Sequence, residues 1–185
     1  MTVIFCFAWL MMAAGCKSKK NETLDYIDVT AYMKGQLKYI DTVPFAFLKV
    51  VLKDSISTDS QYITKEQVNQ IVKEFLVKDL EKGRFEKKFK ESSFADATIH
   101  SITLNYESTD KDCPVSRVDV YVDPEKERIS QVYFVRSKEN SDSSFAQQLL
   151  WKHNKSFLLI TSVTKKSEPE KTITEKIIWD DRLED

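Results

Sequence analysis

The side chains able to act as bases, nucleophiles or metal ligands in this 185-residue chain are two histidines, three cysteines and 29 acidic residues. His100 and His153 are far apart in sequence, so the i, i+4 histidine pair that grips zinc on one helix face is absent. His100 belongs to the alternation His100, Ile102, Leu104, Tyr106. That spacing puts it on the apolar face of a strand, as a core or boundary histidine, with a ligand or general base as the alternative. His153 lies in the turn-like His153-Asn154-Lys155, where solvation is expected. Cys113 sits in the polar stretch 108–114 with no Cys-x-x-Cys partner, and reads as an incidental turn cysteine. Carboxylates are numerous and a paired-carboxylate hydrolase stays open, but no pair is singled out: Asp119 with Asp123, or Glu125 with Glu127, read as solvated strand and turn charges. With only three glycines, the chain has no P-loop, dinucleotide fingerprint or Gly-x-Ser-x-Gly elbow. The residues therefore assign no catalytic group, no metal and no cofactor.

One thiol stands in a different setting. Residues 1–15 carry no charge and are almost wholly apolar, and Cys16 follows them directly. Fifteen helical residues rise about 22 Å, short of the roughly 30 Å hydrocarbon core of a bilayer. The length suits a signal-peptide core instead of a spanning helix. The sequence Ala13-Ala14-Gly15-Cys16, followed by the polar Lys17-Ser18-Lys19-Lys20, resembles the lipobox of bacterial lipoprotein precursors. The resemblance implies cleavage before Cys16, diacylglycerol on its sulfur and a protein held on a membrane without crossing it. Each buried methylene contributes about 0.8 kcal/mol, so two or three acyl chains anchor durably. Two features depart from the pattern: residue 13 is Ala where Leu is usual, and the segment before the apolar run has no Lys or Arg, which points to a start further upstream. Residue 17 is Lys and acidic residues do not follow Cys16 at once. Against the sorting patterns of lipoproteins, this implies a cell-membrane or outer-membrane protein facing the periplasm. Fragments such as Gly35-Gln36-Leu37-Lys38 and Glu91-Ser92-Ser93-Phe94-Ala95-Asp96 resemble pieces of uncharacterised small envelope lipoproteins.

The organisation that follows is a signal peptide at 1–15, a tether at 16–22, a single α+β domain at 23–180 and an acidic tail at 181–185. Lys and Arg (28) nearly balance Asp and Glu, giving a net charge of −1. Such a balance lacks the basic surplus that nucleic-acid binding needs.

Within the domain, apolar residues recur at helical spacing from 24 to 40, with Thr23 as a cap. Residues 45–52 read as a short strand and 53–60 as a loop. Thr64-Lys65-Glu66-Gln67 fits a capping box ahead of Val68, Ile71, Val72, Phe75 and Leu76, with Gly83 ending that helix. Phe85 and Phe89, one turn apart, predict a further helical piece over 84–90. From Thr98 the period becomes two, and six strands follow: 98–106, 117–122, 129–136, 145–152, 157–163 and 172–179. Helices first and strands afterwards predict an α+β fold with N-terminal helices packed on a curved antiparallel meander sheet of about six strands.

Tyr121, Tyr133, Phe134, Phe145, Trp151, Phe157 and Trp179 fall in that sheet. They are core or, if the sheet curves, the lining of a groove for an apolar ligand or a protein partner. Two functions follow. The first is a binding or assembly module anchored to the lipid bilayer through acylated Cys16. The second is a membrane-tethered hydrolase using dispersed carboxylates or His100.

Overall fold

A computed structural model describes residues 26–180 apart from 54, 55, 97 and 99. The signal segment, the lipobox, the tether at 16–22, the Thr23 cap, Leu24 and the acidic tail at 181–185 lie outside the described residues.

The elements run α1 (Val29–Thr42), β1 (Phe47–Lys53), β2 (Ile56–Ile63), α2 (Lys65–Lys73), a 3-10 turn (Lys78–Leu80), α3 (Lys82–Lys88), β3 (Phe89–Asp96), β4 (Ser101–Ser108), β5 (Val115–Asp123), β6 (Arg128–Glu139), β7 (Ser143–Lys152), β8 (Ser156–Lys165) and β9 (Lys171–Ile178). All nine strands form one antiparallel sheet in the order β2-β1-β9-β8-β7-β6-β5-β4-β3.

This corrects the expected α+β fold with about six strands. Over the described residues the protein is mostly β, with 52% strand against 22% helix, and the helices there are three segments of 14, 9 and 7 residues. The six expected strands are β4 to β9. Two strands lie where the sequence reads as loop and as helix. β2 has the sequence Ile-Ser-Thr-Asp-Ser-Gln-Tyr-Ile, whose polar interior reads as loop but pairs with β1 across a bulge between Val51 and Leu52. β3 begins at Phe89, which is the cap of α3 rather than its interior. β1 was expected as a strand, but its neighbour across the sheet is β9 at the far end of the chain.

The helices also differ in their bounds. α1 starts at Val29, where the Asp28 carboxylate accepts the Ala31 amide. α2 keeps the expected capping box, with Thr64 Oγ1 accepting from the Gln67 amide and Gln67 Oε1 from the Thr64 amide. It ends at Lys73, well before Gly83, which lies in the first turn of α3.

The core lies on one face of the sheet. Tyr106, Val118, Phe134, Leu149 and Leu159 form one cross-strand row, and Leu104, Val120, Val132, Trp151, Phe157 and Ile177 form the next. Against these pack Val29, Met33, Leu37 and Ile40 of α1, Val68 and Val72 of α2, then Phe75, Leu80 and Phe85. Each fully buried large apolar side chain contributes roughly 1.5–3 kcal/mol. We call this helix-bearing side the inner face and the opposite side the outer face.

Candidate functional site

The sequence candidates separate in space. His100 is exposed in the β3–β4 turn with φ of 48°, and not on a strand's apolar face. The period-two pattern holds from Ile102, and His100 stands one step before the strand begins. His153, in the β7–β8 turn, is half-buried instead of solvated. Its Nδ1 lies 2.9 Å from the Tyr32 hydroxyl and 3.2 Å from Gln36 Nε2, and its ring stacks on Tyr32. Gln36 Oε1 accepts from Trp151 Nε1 and from the Asn154 amide, both at 2.9 Å. Those two donors fix the Gln36 amide, so its Nε2 must donate to His153, whose Nδ1 is the acceptor. Burial pushes the Tyr32 phenol up, so it remains a protonated donor. This cluster ties α1 to the β7–β8 turn.

Cys113 lies beyond the other end of β4 from His100, so the two cannot meet. It is buried within the core cluster, and burial pushes its thiol up, which keeps it in the inert protonated form. A cavity of about 600 Å³ beside it is lined by Lys111, Arg136, Lys138 and Phe145. There the Arg136 guanidinium lies over the Phe75 and Phe145 rings and pairs with Glu74 at 2.8 Å. Among the described residues no group of three or more His, Cys, Asp and Glu side chains is arranged to hold a metal ion.

Of the sheet aromatics, Phe134, Trp151, Phe157 and Trp179 are buried core. Tyr121 and Tyr133 face outward: Tyr133 stands directly opposite Asp119 on β6, and Tyr121 is two residues from Asp119 on the same face of β5. Glu125 and Glu127 are exposed in the β5–β6 turn, and the Asp123 carboxylate caps that turn through the amides of Glu125 and Lys126.

Asp119 is the outlier. It is 1% exposed, although it stands on the outer face, away from the helices. Register explains its partners. Asn105 is directly opposite on β4, and Arg117 is two residues away on the same face of β5. Arg117 grips the carboxylate with both ends of its fork, Nε to Oδ1 at 2.9 Å and Nη2 to Oδ2 at 2.7 Å. Asn105 Nδ2 donates to Oδ1 as well. The bidentate contact raises the Arg117 pKa further, the Asp119 hydrogen bond being the main cause.

This clamp floors a cleft of about 330 Å³ on the outer face, with Ser92, Phe94, Thr103, Glu107 and Tyr121 around it. Burial, aided by the Asp119 charge, raises the Tyr121 phenol, so its hydroxyl stays a donor. The lining offers one cation against two carboxylates, several hydroxyls and two aromatic rings. Arg117 and Asp119 at i, i+2 were the available sequence signal. Asn105 and Phe94 join them only through strand register.

No protein-family model, no curated protein and no solved structure matches this chain.

Proposed function

We propose that the protein is a binding module of a bacterial cell envelope, anchored to the bilayer through acylated Cys16 and using the outer-face cleft to hold a small neutral ligand rich in hydroxyls. The observation that carries the ligand site is the buried Asp119 carboxylate on the sheet face opposite the described helices. Removing a carboxylate from water is costly unless it is paired and hydrogen-bonded. Arg117 and Asn105 meet that need, and the carboxylate in turn fixes their orientation. Fixed planar groups of this kind match the adjacent hydroxyls of a sugar ring, while Phe94 and Tyr121 offer faces for its C–H surface. The excess of carboxylates over cations disfavours an anion. The resemblance of residues 13–16 to a lipobox supports the anchor.

Two measurements test this reading. Titrating methyl glucoside, methyl galactoside and N-acetylglucosamine into labelled protein should shift the signals of Asn105, Arg117 and Tyr121, and Tyr121→Ala should abolish the shifts. Sugars that leave those signals unmoved at high millimolar concentration refute the ligand class. Mass spectrometry of membrane fractions should find acyl chains on Cys16 and none after Cys16→Ser; unmodified wild-type Cys16 refutes the anchor.

A further inference from the structure

Among the described residues β2 and β3 are the two edge strands, so each presents a row of backbone groups with no described neighbour on one side. Natural proteins shield such edges with proline, central lysines, covering loops or a partner strand. Among the described residues the exposed large apolar side chains are Ile56 and Tyr62 on the β2 edge, Phe94 on the β3 edge, and Ile173 on the interior strand β9. Phe94 is 64% exposed at the middle of an edge strand that contains no proline.

The charge order of β3 is self-complementary. Lys90, Ser92, Phe94 and Asp96 share the outer face, because they stand opposite Glu107, Asn105, Thr103 and Ser101 of β4. When two copies of β3 align antiparallel with Ser93 facing Ser93, Lys90 of each copy falls opposite Asp96 of the other. The same register sets each Phe94 opposite a Ser92 and diagonal to the second Phe94, at the roughly 7 Å spacing that aromatic side chains bridge. One register thus sets two opposite-charge pairs, in which Asp96 keeps the hydrogen bonds it accepts from the Thr98 amide and hydroxyl, and one aromatic contact, and it extends the backbone ladder over 90–96. β2 has no equivalent, since its only charge is Asp59 and no register of two copies can set it opposite a cation of the strand.

We infer that the protein pairs with a second copy of itself through β3, making a closed, two-fold symmetric dimer whose two sheets are continuous. Ser92 and Phe94 belong to the wall of the outer-face cleft. The dimer therefore sets the two clefts next to each other and lends each a Phe94 ring from the second copy.

Cysteine cross-linking of the full chain in detergent tests the register. Directly opposed residues in an antiparallel pair have Cα atoms about 4.5–5.5 Å apart, within disulfide reach. Ser93→Cys should give a disulfide-linked dimer under a mild oxidant, visible on a non-reducing gel and lost on reduction. Ala95→Cys should not, because in this register its two copies stand four strand positions apart, about 13 Å. Both sites are exposed, so neither change disturbs the fold. Adding Lys90→Glu to Ser93→Cys should cut the linked fraction several-fold. The inference is overturned if Ser93→Cys stays monomeric, if Ala95→Cys links equally well, or if Ser60→Cys on β2 links in its place.

Discussion

The Gln36 side chain accepts hydrogen bonds from a buried indole and from a turn amide, and it donates to His153. Gln36→Leu keeps the shape of the side chain but leaves both donors without an acceptor. A buried donor left unsatisfied costs about 1–3 kcal/mol. The variant should therefore lose about 2–3 kcal/mol, a fall of roughly 4–12 °C in Tm for a domain of this size. A thermal scan showing a fall under about 1 °C would mean that the indole finds another acceptor. Cys113 makes the opposite point, since its burial predicts inertness. Iodoacetamide should label it slowly in the folded protein, faster as pH rises toward its raised pKa, and at once in urea. Rapid labelling at neutral pH, as seen by mass spectrometry, would contradict the buried placement. Neither environment was legible in the sequence. Gln36 and Trp151 are distant along the chain, and Cys113 sits among polar neighbours that conceal a core position.

At the scale of elements, α2 carries the clearest local code. Its reciprocal capping bonds satisfy two amides that the first helical turn would otherwise leave open. Thr64→Ala should cost about 1 kcal/mol, read as a lower urea midpoint with an unchanged slope. A changed slope would instead signal a loosened native state. The strands β4 to β9 were legible because each contributes apolar residues to the core on one face, which leaves a period-two pattern over parts of the sequence. β2 and β3 were not, because edge strands bury little on either face and tolerate polar residues throughout. The outer-face cleft was half legible. Arg117 and Asp119 show their common face by spacing, but the burial that makes Asp119 unusual depends on Asn105 arriving through β4. His100 misled for a related reason. A period-two run does not mark its own first residue, and here the strand starts just after it.

For the whole molecule, the sheet order fixes which amides should open first. β6, β7 and β8 are each paired on both sides over most of their length, and they carry Phe134, Leu149, Trp151 and Phe157 in the core. Their amides should exchange only through global unfolding, the slowest class in the protein. β2 is paired on one side and lies at the far edge from β3, so its outward amides should exchange within seconds to minutes. β3 occupies the same position at the other edge and, in a single copy, should behave identically. Pairing of two copies through 90–96 breaks that symmetry, because it gives the outward amides of β3 a partner that β2 lacks. Hydrogen exchange measured at two protein concentrations separates the cases. Protection of β3 that grows with concentration, while β2 stays fast at both, is the expected result. Equal and concentration-independent exchange on β2 and β3 would remove the dimer and leave the sheet order intact. Fast exchange on β7 would instead remove the sheet order itself, since no strand in its position can open without breaking ladders on both sides.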